Sequence, residues 1–366
     1  MSDHILFIID GLPGGGAENV TLTLAAGIAA RGHRVTLLSL GTRLDYAIPP
    51  GVDYQVCADR PRGPLRKLRE LPRRARALDA HLATLFADKG FPTLVISSLH
   101  KTDRIVVRSR RLAGLNVWHC IHGMLSRSYL GNKTGLARWL KKRKMQQVYH
   151  QRQVITVSDA VGEDLRREMG CRPARLQTLY NPFDAHAIRQ RASAPHPWQG
   201  EDYWVHVGRF HPVKRHDRLI AAFAHSGLRC KLLILGQGDA AIRDAMVTQI
   251  AALGLTDRVV LAGFQANPLP IIRDARGLVL SSDSEGLPGV AIEALICQTP
   301  VVSTRCPGGV AEILSGHLAA WLTELNAEDL GKTMAEADAH PPQINDDAWA
   351  AFEQQHIIDG WLALAR

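Results

Sequence analysis

The chain has no apolar run approaching the roughly 20 residues that a helix needs to cross a bilayer, so a membrane-spanning protein is not expected. Paired cysteines are missing too. Cys57, Cys120, Cys171, Cys230, Cys297 and Cys306 are scattered, the closest two have eight residues between them, and no CxxC or Cys/His spacing occurs. That disfavours a disulfide framework or a zinc site and leaves six reduced, mostly buried thiols. The amino terminus offers only Ile5 to Ile9 as an apolar stretch, with Asp3 and His4 before it and Asp10 after it. Such a stretch reads as a buried first strand and not as a secretory leader, which makes a cytoplasmic protein the expectation.

Acidic charge is scarce in the first half. Residues 1–182 hold 29 Lys+Arg against 14 Asp+Glu, a net of +15, while the remainder holds 15 against 21, a net of −6. The excess is concentrated in Arg60 to Arg76 (RPRGPLRKLRELPRRAR) and Arg138 to Lys144 (RWLKKRK), so the first half is expected to meet a negatively charged partner. No recognition helix, zinc finger or RNA-binding aromatic signature accompanies the charge, which ranks nucleic acid low. An anionic membrane surface or a phosphorylated saccharide fits better; a basic face that serves only solubility is the plainer reading.

The composition itself, 46% apolar and 22% charged over 366 residues, is that of a soluble globular protein. Single cores stop growing near about 250–300 residues, so two domains are expected. Strand-like runs alternate with helical patterns in both halves: Ile5–Ile9, Val35–Leu40, Leu94–Ser97, Val117–Ile121 and Val154–Val157, then Trp204–Val207, Lys231–Leu235, Val259–Leu261, Gly277–Ser281 and Val301–Ser303. Each half is therefore predicted to be a doubly wound α/β domain, with ligands beyond the carboxyl ends of the strands and a cleft between facing domains. The boundary is placed in Asn181–Gly200, giving domains 1–182 and 183–345. The final segment, Asp346–Arg366, reads as a helix that packs back across the hinge.

Four loops carry candidate chemistry. In Ser281–Thr304 (SSDSEGLPGVAIEALICQTPVVST), Glu285 and Glu293 stand eight residues apart around Gly286 and Pro288. A helix beginning at Pro288 puts Glu285 beside its amino terminus and Glu293 roughly 7 Å further along the axis. Free amides at a helix start attract phosphate, and carboxylates accept hydrogen bonds from paired hydroxyls; solvated or capping glutamates are the alternative. In Val207–Phe223 (VGRFHPVKRHDRLIAAF), Arg209 and Lys214 flank the loop after Gly208 and suit a diphosphate, or simply surface ion pairs. Asp10–Glu18 (DGLPGGGAE) allows close backbone approach to an anion but is neither a dinucleotide fingerprint nor a Walker loop, and a plain tight turn is the alternative. Leu235–Asp239 (LGQGD) follows an apolar strand as a further candidate, with a mere strand-end turn as the alternative, and Phe264 after Gly263 is either a base-stacking face or core. His119 and His122 close the strand WHCIH; of the two, His122 is the better placed to reach a ligand.

In order and spacing, GGGAENVTLTLAAGIAARGHRV (14–35), VGRFHPVKRHDRLIAAF (207–223), LGQGD (235–239) and EGLPGVAIEALICQTPVVST (285–304) resemble the retaining glycosyltransferases of family 4, over nearly the whole length. The resemblance implies the two-domain B-type (GT-B) fold. It also implies transfer of a hexose or N-acetylhexosamine from a nucleotide diphosphate sugar, most commonly a UDP-sugar, to a saccharide or lipid-linked acceptor such as lipopolysaccharide. By the same resemblance, Glu285 contacts hydroxyls of the transferred sugar, and Gly286, Leu287, Pro288 and Gly289 of that loop line the donor, with backbone amides offered by all but the proline. Glu293 holds the ribose, and Arg209 and Lys214 bind the diphosphate as it leaves. Gly15 and Gly16 approach phosphates and acceptor, Gly208, Gly236, Gly238 and Phe264 line the donor, and His122 touches the sugar. No metal, cofactor or protein nucleophile is expected. A nucleotide-sugar epimerase of the same fold, or a basic-face binding protein without turnover, are the competing readings.

Overall fold

The structure, a computed structural model, describes residues 2–13, 15–58 and 70–366. The chain divides into two compact units, Met1–Pro182 with Gln354–Arg366, and Phe183–Glu353.

The first unit is built on seven parallel strands in the order β3-β2-β1-β4-β5-β6-β7: β1 His4–Ile9, β2 Arg34–Ser39, β3 Val52–Val56, β4 Leu94–Ser98, β5 Val117–Ile121, β6 Gln153–Thr156 and β7 Arg175–Thr178. Central β1 (HILFII) is buried at every position, the pattern of a parallel strand covered by helices on both faces. The order reverses between β1 and β4, and ligand crevices in open α/β sheets form at such a switch. The helix Gln354–Ala363 packs on the helix Gly16–Ala30 of this unit, so close that a Cβ on Gly27 would lie 2.2 Å from Ile358 Cδ1. Asn116 Nδ2 also donates to Leu364 O at 2.6 Å.

The second unit repeats the plan with six parallel strands in the order β10-β9-β8-β11-β12-β13: β8 Tyr203–Val207, β9 Lys231–Leu235, β10 Val259–Gly263, β11 Gly277–Leu280, β12 Val301–Thr304 and β13 Leu322–Thr323. Its switch lies between β8 and β11. Gly277 sits opposite Trp204 in that pairing, and a Cβ there would come within 2.6 Å of the indole. The missing side chain lets the largest core residue of β8 lie flat across β11.

Three edge strands, β3, β7 and β13, were not among the expected runs. The first two are polar and only half-buried (VDYQV and RLQT), so they carry no apolar signature. The expected helix over Asp346–Arg366 is also shorter than read. Asp346–Ala348 and Ala350–Phe352 are single 3-10 turns, and the α-helix begins at Gln354. The reason is local: Phe183 N donates to Phe352 O at 2.9 Å and Phe183 bridges Glu353, which is extended at φ −62°, ψ 132°. Backbone committed to that bridge cannot continue a helix.

Candidate active site

In the second unit the loops after β8 and β9 run together beyond the sheet. Gly208 N donates to Leu235 O, Phe210 N to Gln237 O and Asp239 N to Phe210 O, at 2.9–3.0 Å. Gly236 (φ +147°) and Gly238 (φ +158°) make this possible, because a Cβ would lie 1.9 Å from Gly208 O at the first and 2.5 Å from Phe210 O at the second. Both glycines are thus required by the crossing of two main chains.

The loop after β8 then turns through Pro212–Lys214 and, at Arg215 (φ +50°), enters the helix His216–Ser226. This turn aims Lys214 at the loop after β11, where Nζ meets Glu285 Oε1 at 2.7 Å, with the two side chains only 19% and 12% exposed. Ser282 Oγ donates to the same oxygen at 2.5 Å, and no partner occupies Glu285 Oε2 among the described residues. The backbone is pinned on both sides of the carboxylate: Glu285 N donates to Pro307 O and Gly309 N to Gly286 O. Gly308 (φ +123°) passes so close that a Cβ would be 1.6 Å from Glu285 O. Ser281 Oγ donates to Lys214 O and Asp283 N to Val213 O, each at 2.8 Å, fastening the lysine loop to the glutamate loop.

The helix that follows is Gly289–Ile296, one residue later than expected, with Pro288 as its cap. Glu293, its fifth residue, is half-buried and takes no hydrogen bond or ion pair through its carboxylate among the described residues. Desolvation raises its pKa above the usual carboxylate range, against a smaller lowering by Arg191. Leu287 and Pro288 are buried, so they shape the loop through packing. Gly289 lies against Phe183, 3.2 Å from where its Cβ would be. At the far strand, the β10 register shifts between Leu261 and Gly263 (φ +70°), and the bulge turns Phe264 outward, 64% exposed. Arg209 is exposed beside Gly208 and has no partner among the described residues.

Sequence reasoning gave no role to Ser282, Arg215, Arg218 or Gly308. Arg215 Nη1 and Arg218 Nη2 both bind Asp283, at 3.2 and 2.8 Å, and buried Arg218 also donates to Ser281 O. The only available signal was their nearness in sequence to Lys214 and Glu285. Beneath them lie His206 and His216, ring centroids 5.1 Å apart, with pKa values lowered by burial to about 3 and about 4.

In the first unit, Gly16 begins the helix Gly16–Ala30 with open space beside it, and Gly15 O accepts from Tyr46 Oη at 3.1 Å. Gly14 lies outside the described residues. At the end of β1, Asp10 takes Arg74 Nη2 at 2.6 Å and Lys101 Nζ at 2.8 Å. His119 is structural: its Nδ1 lies 3.1 Å from fully buried Asp103, which also accepts from Ser97 Oγ and, at 2.7 Å, Tyr149 Oη. His122 lies past the end of β5; desolvation, opposed by Asp103, lowers its pKa to about 4, so the ring is neutral at pH 7, with a buried Nε2 lacking a partner. Of the expected residues, the fold brings Lys214 against Glu285 and Gly208 against Gly236, while Gly238 lies against Phe210. Gly15, Gly16 and His122 belong to the first unit.

Of the basic run Arg60–Arg76, residues 60–69 lie outside the described residues. Arg74, counted there as a surface cation, is turned inward onto Asp10 and away from any partner surface.

Two parallel sheets, each with its switch point and loops at the carboxyl edge, define the architecture of the B-type glycosyltransferases. The structure of Anabaena HepE in complex with UDP and glucose superposes with a TM-score of 0.76 at 19% identity, covering 99% of this chain and 98% of that one. The apo lipopolysaccharide outer core galactosyltransferase WaaB gives 0.68 at 16%, covering 99% and 98%. Residues 14–187 match the Glycosyltransferase Family 4 profile and residues 201–337 match Glycosyl transferases group 1. The chain belongs to glycosyltransferase family 4, and it is a hexosyltransferase. Among its relatives is the N-acetylgalactosamine-N,N'-diacetylbacillosaminyl-diphospho-undecaprenol 4-alpha-N-acetylgalactosaminyltransferase of Campylobacter jejuni, 26% identical over 89% of this chain and 88% of that protein. The lipopolysaccharide 1,6-galactosyltransferase of Escherichia coli is 27% identical over 52% of this chain and 58% of its own length.

Proposed function

We propose that the enzyme transfers a hexose or N-acetylhexosamine from a UDP-sugar to a saccharide or lipid-linked acceptor of the cell envelope, with retention of anomeric configuration. The observation that carries this reading is the Lys214–Glu285 contact at the carboxyl edge of the second sheet. An ammonium has three donors and Glu285 engages one, which leaves two for phosphate oxygens. Glu285 Oε2 has no donor among the described residues and is suited to a hydroxyl of the donor sugar, while Glu293 is suited to the ribose diol and exposed Phe264 to the base. Arg209, without a partner among the described residues, adds a bidentate cation for the diphosphate.

The acceptor oxygen bonds to the anomeric carbon on the face that the leaving group departs, the carbon–oxygen bond to the diphosphate breaks, and the acceptor proton passes to a leaving phosphate oxygen. Lys214 and Arg209 stabilise the charge that develops there. No protein nucleophile is assigned, and metal independence follows the same reasoning, because these two cations face the diphosphate while Asp283 is held by Arg215 and Arg218. The first unit receives the acceptor, with a basic surface suited to anionic lipid. Support for this class of acceptor comes from the diphospho-undecaprenol and lipopolysaccharide named for the two bacterial relatives.

A nucleotide-release assay against UDP-, GDP- and ADP-sugars, with membrane extract as acceptor source, tests the proposal. Expected are acceptor-dependent UDP release, an α-linked product from an α-linked donor, and full activity in EDTA. Conversion of the donor to an epimeric nucleotide sugar without acceptor and without net UDP release favours the epimerase reading, and loss of activity in EDTA that a divalent ion restores contradicts metal independence.

A further inference from the structure

The helix Gly135–Tyr149 carries apolar side chains on two opposite faces, one buried and one exposed. Its buried positions are Met145, Val148 and Tyr149, near the carboxyl end. On the opposite face, Leu136, Trp139 and Leu140 stand at i, i+3 and i+4, exposed to 71%, 50% and 46%. Arg143 continues that face one turn on, its guanidinium 4.9 Å from the Trp139 ring centroid, and Lys133 and Lys144 flank it, exposed. Between Asp103 and Asp159 the chain has no acidic residue and twelve lysines and arginines. Glu168 reaches the helix only at Arg138, on the side away from Leu136, Trp139 and Leu140, and an apolar face flanked by cations of its own segment is the surface chemistry of a helix that lies in a lipid interface.

We infer that this helix docks the protein on a bilayer of anionic lipid by burying Leu136, Trp139 and Leu140 below the headgroups. The inference rests on the proposed membrane-facing acceptor reading and goes further, because it replaces a purely electrostatic contact with an inserted one and names the face. An acidic protein partner would satisfy the cations, but three exposed apolar side chains at the centre of the patch favour acyl chains. Trp139 suits the headgroup boundary, where an apolar ring with a polar N–H is at home. The described residues contain no helix long and apolar enough to cross a membrane, so the contact lies in the plane of the surface.

Flotation of the full chain with vesicles of phosphatidylglycerol and phosphatidylcholine, at low salt and at 0.5 M NaCl, tests it. The expected result is binding that salt weakens without abolishing, with quenching of Trp139 fluorescence by lipid brominated near the headgroup; quenching is lost in Trp139→Phe. Leu136→Ser with Leu140→Ser is expected to lower vesicle partitioning at least tenfold in high salt while nucleotide release with a water-soluble acceptor is unchanged. Binding fully reversed by salt, with no quenching, overturns the insertion and leaves the electrostatic reading standing. Failure to bind at low salt overturns both.

Discussion

Lys214 and Glu285 are 71 residues apart, and the loop that carries Glu285 fixes both: Ser281 Oγ donates to Lys214 O, and Ser282 Oγ donates to the Glu285 oxygen that meets Lys214. An ion pair tied at both ends loses little entropy on meeting a ligand, so its groups are ready for the transition state. Lys214→Ala and Glu285→Ala are each expected to cut nucleotide release at least about tenfold, or 1.4 kcal/mol, measured at saturating donor. Full activity in both contradicts the site. Glu285→Gln keeps the size and one acceptor oxygen but removes the charge that holds Lys214, and should recover less than half of the loss. The candidate residues themselves were visible in the sequence as cations and carboxylates at strand ends. Their contact was not, and neither was the need for Gly308, whose role depends on a chain that returns 23 residues after Glu285.

At the level of elements, central strands were legible because a parallel strand buried on both faces is a run of apolar residues, as in HILFII or KLLIL. Edge strands such as VDYQV gave no such signal, and the bridge from Phe183 to Glu353 that ends the expected terminal helix is a long-range event outside any local pattern. The strand-end loops also make a prediction. Gly308→Ala must move the Glu285 carbonyl or distort its own backbone, so a stability loss of about 1–3 kcal/mol is expected, with weakened UDP binding, from thermal unfolding and calorimetric titration. In the first unit, burial lowers the pKa values of His100 and His122 to about 4. Folded pKa values below the unfolded 6.5 mean that the unfolded chain binds more protons between about 4 and 6.5. Stability is therefore full above pH 6.5 and lost as pH falls toward 4. The urea midpoint should drop over that window, and His122→Gln should flatten the drop; a midpoint that rises on acidification has the wrong sign.

Over the whole molecule, the two units repeat one plan, yet the chain closes the first only after completing the second. Its last helix, Gln354–Ala363, lies on the helix Gly16–Ala30, with Arg31 bonded to Gln355 Oε1 at 2.7 Å and paired with Asp359. Removing residues 354–366 is expected to speed hydrogen exchange at least tenfold in the helix Gly16–Ala30 while leaving β8 to β12 of the second unit protected; unchanged protection in 16–30 contradicts the packing argument. The division of charge, +15 over residues 1–182 and −6 over the rest, fits an acceptor unit that meets anions and a donor unit whose few cations are placed one by one. The central claim is that the second unit presents the groups that hold the diphosphate and the ribose, at the edge where the loops after β8 and β11 are fastened together. A crystal structure of the enzyme with bound UDP tests it most directly. The account predicts diphosphate oxygens within hydrogen-bonding distance of Lys214 Nζ and ribose hydroxyls on Glu293. UDP bound elsewhere, touching neither residue, contradicts it.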